Sequence, residues 1–133
     1  MYGYSSVSIS SGATTGGSGS STNNNTSSHV VVGQICSIGV TYNGSPPSST
    51  DVVIATAGNN GPALTILTLT NANSNGWFHP RHKIDDESAA DVTYDGTNEV
   101  YDKVCVADNI KITVSQANDD DSVDVVVVYY AGA

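Results

Sequence analysis

Between His29 and Asn43 the chain keeps a period of two. Val30, Val32, Cys36, Ile38, Val40 and Tyr42 share one parity, interrupted by Gln34, and Val31, Gly33, Ile35, Ser37, Gly39 and Thr41 share the other. Successive side chains of a strand point to opposite faces, so this run reads as a strand with one strongly buried side. No window of ten or more residues shows a convincing 3.6 period, and β-branched residues dominate the apolar set. Both features favour the pleated sheet over the helix.

Turn chemistry cuts the rest of the chain into short pieces. Asn43-Gly-Ser-Pro-Pro-Ser48 ends the first run, and Gly58-Asn-Asn-Gly-Pro62 closes Val52–Thr56. Leu64–Thr70 follows, its apolar parity slipping between Ile66 and Leu67 as a bulge would cause. Further strands are expected at Trp77–Ile84, Val100–Val106, Ile110–Val114 and Val123–Tyr130, with turns at Asp95-Gly96 and Asn118–Asp121. Short strands punctuated this way predict an all-β domain, an antiparallel β-sandwich of jelly-roll or immunoglobulin-like type. Val125-Val-Val-Val-Tyr-Tyr130 is apolar on both parities, so the second, outer face of this strand is expected to be a subunit contact or else an aggregation hazard.

The sequence divides at residue 28. Of the first 28 residues, 22 are Ser, Thr, Gly or Asn. Such a segment cannot bury enough apolar area to offset the entropy of ordering it, so 1–28 is expected to be an extended arm and 29–133 the sandwich body. The arm is expected to be held by a neighbouring chain, the alternative being that it folds back on its own body. Tyr2, Tyr4, Val7 and Ile9 are its candidate anchors, as an added strand. The opening Met1-Tyr-Gly-Tyr-Ser5 has neither a basic residue nor an apolar core, so no secretory signal is expected.

Charge narrows the partners. Four Lys+Arg against 13 Asp+Glu give a net charge of −9, which disfavours nucleic acid and anionic membrane surfaces. The longest apolar stretch, Val125–Ala133, has nine residues, against the roughly 20 of a membrane helix. The two cysteines, Cys36 and Cys105, are too few for a disulfide scaffold or a four-cysteine zinc site, and each reads as a buried free thiol within an apolar run.

Catalytic signatures are lacking: there is no G-x-G-x-x-G, no phosphate-binding loop and no G-x-S-x-G. His79 and His82 with Asp85, Asp86 and Glu87 could be metal ligands. On a strand, however, positions 79 and 82 face opposite sides, and a polar edge leading into a solvated acidic loop reads better. Arg81 and Lys83 share a parity, and either pair with an acidic neighbour across an interface or guard an exposed edge. Asp119, Asp120, Asp121 and Asp124 lack the frame of a calcium loop and read as a solvated hairpin turn, with weak divalent binding between chains left open. Trp77, Phe78, Tyr94 and Tyr101 could form a sugar-stacking platform or serve as core and interface anchors. Asn24, Asn25 and Asn43 begin glycosylation sequons that read as chance in so Ser- and Asn-rich a chain.

Three stretches carry a resemblance. Leu64-Thr-Ile-Leu-Thr-Leu-Thr-Asn-Ala-Asn-Ser-Asn-Gly-Trp-Phe-His-Pro-Arg81, Val92-Thr-Tyr-Asp-Gly-Thr-Asn-Glu-Val-Tyr101 and Val106-Ala-Asp-Asn-Ile-Lys-Ile-Thr-Val-Ser-Gln-Ala-Asn118 together resemble small virion structural proteins of tailed bacteriophages. The likeness covers about residues 50 to 130 and departs at His82–Glu87, which is more acidic here. It implies a non-enzymatic component of the particle, without cofactor. A capsid cement or decoration protein comes first, and a head-fibre, neck or tail-associated host-recognition (glycan-binding) module is the alternative. The implied partners are the major capsid protein or other virion proteins and further copies of this chain, with a trimer expected. Arg81, Lys83, Tyr129 and Tyr130 join the arm residues as candidate contacts. Assembly in a bacterial cytoplasm implies free thiols.

Overall fold

The computed structural model describes residues 3–132. They form eight strands: β1 (Tyr4–Ser10), β2 (Ser21–Asn43), β3 (Asp51–Thr56), β4 (Thr65–Leu69), β5 (Gly76–Phe78), β6 (Arg81–Lys83), β7 (Tyr101–Ala117) and β8 (Ser122–Tyr130). Every pairing between them is antiparallel, and no helix occurs among the described residues. The order across the sheet is β1-β8-β2-β7-β3-β4, with β5 also on β2 and β6 on β7.

The long strand β2 makes this sheet sandwich-like. Its residues 21–35 pair with β7 and its residues 34–43 with β8, so Gln34 and Ile35 belong to both ladders. A strand that passes from one ladder to another turns a corner, and the sheet halves on either side then close over one core. Ile9, Val123, Val125 and Val127 from one half join Val52, Ile54, Ile110, Ile112 and Val114 from the other in a single buried cluster. At the crossing, Gly33 has φ +146, and the Tyr130 carbonyl lies where its Cβ would be. Only glycine lets the end of β8 come so close.

Register shifts decide which residues reach that core. In β2, Ile35 pairs with Tyr129 and Ser37 with Val128, leaving Cys36 as an extra residue. A one-residue slip moves the buried set to the other parity. Val31 and Ile35 are therefore buried ahead of the slip and Ile38 and Val40 after it, while Val30 and Val32 are 45% and 59% exposed. The uniform parity expected from Val30 to Tyr42 is corrected accordingly. The slip expected at Ile66 is present: Ile54 pairs with Leu67 and Ala55 with Thr65, with Ile66 extra. Two expected strands, Val100–Val106 and Ile110–Val114, are one, because nothing in Ala107-Asp108-Asn109 breaks the ladder of β7. Trp77–Ile84 is divided into β5 and β6 around Pro80, which has no N–H to give a ladder.

The division at residue 28 is not a structural boundary, since β2 runs through it. The expectation that a neighbouring chain holds the arm is corrected: the segment lies in its own sheet, where β1 pairs with β8 along its whole length, from Tyr4↔Tyr130 to Ser10↔Asp124. Two properties hold it there. Ile9 is buried in the core and Val7 packs against it. The hydroxyls and amides that made the segment look featureless bond to backbone. Asn23 and Asn25 donate side-chain N–H to the carbonyls of Ala13 and Ser10. The buried Thr14 hydroxyl lies 2.7 Å from the Asn118 carbonyl and 3.0 Å from that of Asp121.

Candidate functional site

The candidate contact residues do not gather in one place. Tyr2 lies outside the described residues. Ile9 belongs to the core, so it is no free contact, and Val7 is half-buried beside it. Tyr4 and Tyr130 meet at one end of the β1–β8 ladder, ring centroids 5.3 Å apart and tilted by 55°. Tyr129 packs partly against the core. Arg81 is held within the chain, its Nη1 donating to the Pro80 carbonyl at 2.8 Å and the Cys36 carbonyl at 3.3 Å.

Lys83 also finds its acids within the chain, 3.0 Å from Glu99 and 3.5 Å from Asp91. Ile84, Val92 and Val100 sit side by side through backbone bonds of 3.0 Å, so residues 84–100 fold into two short hairpins. That fold brings Asp91 and Glu99 to Lys83. The Glu99 hydrogen bond first, and the charges of both carboxylates after it, hold the Lys83 ammonium above its ordinary range. The same bond to Lys83 holds Glu99 below its own. Turn-forming bonds from Asn98 and Thr97 lower Asp95 at the tip of the second hairpin.

The histidines do not share a site. His79 Nδ1 is 3.1 Å from the Ser37 hydroxyl and His82 Nε2 is 3.0 Å from the Lys103 carbonyl. Among the described residues, no group of three or more His, Cys, Asp or Glu is placed to hold a metal ion. Asp121 turns inward and accepts from the backbone N–H of Ser45 and Asn118, closing its own hairpin, while Asp124 accepts from Asn43 Nδ2. Both cysteines are free thiols, but neither is buried as expected: Cys36 is half-buried at its bulge and Cys105 is exposed.

One buried acid went unnoticed in the sequence. Asp108 in β7 is 0% exposed and accepts from the backbone N–H of Gly58, Asn59, Asn60 and Asn109. Burial raises its pKa, but N–H donors at Asn109, Gly58, Asn60 and Gly61 outweigh that, and the carboxyl sits below its ordinary range. The signal was available: an Asp at an inward parity, with a Gly-Asn-Asn-Gly loop elsewhere needing an acceptor.

Two outward surfaces remain. On the β2–β7 half, Val32 opposes Ala107 and Gln34 opposes Cys105, and Val32, Ala107 and Cys105 are all exposed. A cavity of about 260 Å³ beside Cys105 is lined by Leu64, Thr65, His82 and Val104. On the other half, Trp77 is 61% exposed, and its six-membered ring occupies the space over Gly39 where a side chain would stand. Tyr94 and Tyr101 are also exposed and Phe78 packs against the core, so only Phe78 serves as a core anchor. Val126 and Val128 are half-exposed on the outer face of β8.

No protein-family model matches the sequence, and no curated protein matches it. Among solved structures, the chain is similar to one described as the crystal structure of FlhE, at a TM-score of 0.45 and 12% identity over 96% of this chain and 98% of that one.

Proposed function

We propose that this chain is a non-enzymatic structural protein of a tailed-phage head, seated on the major capsid protein as a cement or decoration protein. The observation that carries the reading is the apolar strip on the outer face of β2 and β7. Val30 and Val32 stand 45% and 59% exposed there, beside Ala107 and Cys105. Two exposed valines of β2 beside the exposed Ala107 and Cys105 of β7 are apolar area that a protein surface can cover. The resemblance over residues 50 to 130 supports the same reading. Contact then comes from the body rather than an arm, because Val7 and Ile9 are occupied by the chain's own core. Copies of the chain in threefold groups would multiply each weak contact.

The test has two parts. Mass spectrometry of purified particles of the encoding phage should find the chain at a fixed ratio to the capsid protein. Shells lacking it should bind the purified chain, and Val32→Asp should abolish that binding while leaving its circular dichroism unchanged. Absence from particles, or full binding by Val32→Asp, would overturn the reading. Sedimentation of the free chain checks the trimer. A second reading, a head-fibre, neck or tail-associated host-recognition module, is favoured by the exposed Trp77.

A further inference from the structure

The outer faces of β5, β2, β8 and β1 form one patch. Trp77 pairs with Gly39, Gly39 with Val126 and Val126 with Ser8, so the four stand in a line across the strands. At about 4.8 Å per strand the line is about 14 Å long. Its neighbours along the chain, Ile38, Val40, Val125, Val127 and Ile9, are buried, which places the line on the outside. A second row beside it is polar: Thr41, Asp124 and Ser10. On the other flank run Ser37, Val128 and Ser6, with His79 bonded to the Ser37 hydroxyl. Two open depressions of about 290 and 480 Å³ lie along the Trp77 line and the Thr41 row and meet at Val126.

We propose that this face binds a neutral glycan chain lying across the strands. A pyranose ring has an apolar C–H face and a rim of hydroxyls, and the patch repeats that division. Trp77, Val126 and Val128 offer apolar surface, and Ser, Thr, His and Asp side chains border it. The Trp77 ring is already seated over Gly39, so little ordering remains to oppose binding. Charge selects within the class. Asp124 is the one carboxylate in the three rows, no Lys or Arg stands among them, and Arg81 at their border is held by the Pro80 and Cys36 carbonyls, so sulfated or uronic chains find no cation within the rows to meet their own charge. A protein partner would have to bury the serine and threonine hydroxyls and the carboxylate, each at a cost unless it is paired. A sugar brings a hydroxyl for each.

The inference stands apart from the chain's place in a particle. A head protein can lack glycan affinity, and a glycan binder can be absent from particles, so the two readings fail separately. Trp77 is the only tryptophan in the chain, so its fluorescence reports this site alone. The full chain is titrated with neutral glucan, mannan and galactan oligosaccharides, with dextran sulfate and polygalacturonate as acidic counterparts. At least one neutral series should shift the emission saturably, and the acidic chains should not. Trp77→Ala, read by calorimetry, should weaken binding at least about tenfold. Removing the ring also uncovers Gly39, so Ser8→Lys, at an exposed position on the outer face of the edge strand, serves as the second variant. It should lower affinity with an unchanged melting temperature. The proposal is overturned if no neutral saccharide shifts the emission, if only acidic chains bind, or if both variants bind normally. It is equally overturned if sedimentation shows a dimer that Trp77→Ala dissolves and no saccharide displaces.

Discussion

Single atoms decide two positions. At Gly33 a methyl group would meet the Tyr130 carbonyl and a backbone at φ +146, so Gly33→Ala should cost roughly 3 kcal/mol in denaturant unfolding. Gly96 is the comparison: φ is +84 but nothing lies within 4 Å of its added Cβ, and Gly96→Ala should cost only about 1 kcal/mol. Equal losses at the two would mean that the end of β8 does not press on Gly33. Tyr42 presents the opposite case. Its hydroxyl is buried and finds no hydrogen-bond partner among the described residues, and burial raises its pKa. Tyr42→Phe removes a group with no partner to lose, so stability should stay level or rise by up to about 1 kcal/mol; a loss would reveal a bond to that hydroxyl. Neither residue was legible in the sequence. Gly33 was one more small residue in an alternating run, and its meaning depends on a carbonyl 97 positions away.

Elements were legible where their own side chains set the period, and misread where a partner strand set the register. The bulge in β4 showed because the apolar parity slips at Ile66. The one in β2 did not, since valine, cysteine and isoleucine are apolar on either side of it. The exposed strip at Val30 and Val32 was thereby mistaken for core. The 58–61 loop was recognised as a turn, but its anchor, Asp108, looked like an ordinary residue between two strands. That anchor has a pH signature. Its carboxyl sits below the ordinary range because the folded state favours the charged form. The stability it contributes is complete above the unfolded value of about 3.9 and is lost as pH falls through the lower folded value. Melting temperature should therefore fall more steeply below about pH 4 in the wild type than in Asp108→Asn, which is destabilised at neutral pH and lacks this component. Parallel curves would remove Asp108 as an acid-labile clasp.

For the molecule as a whole, the question is whether the segment before residue 28 is an arm for a neighbouring chain or part of this chain's own sheet. Composition favours an arm, since serines and glycines cannot pay for their own order. That reasoning treats the segment alone, whereas β8 offers it a full ladder and the core takes Ile9 at 5% exposure. The entropy of ordering a polar strand is offset by pairing it beside a run of valines. Ile9→Ala should then lower stability by about 2–4 kcal/mol. Deleting residues 1–10 should do more, because it leaves Val123 to Tyr130 as an open, apolar edge of the kind that recruits other chains. The truncated chain should melt well below the wild type and self-associate in sedimentation, with thioflavin binding increasing over time. A deletion that stays monomeric at the wild-type melting temperature would show that β1 is an appendage, and Ser8 and Ser10 would then drop out of the outer face that carries Trp77.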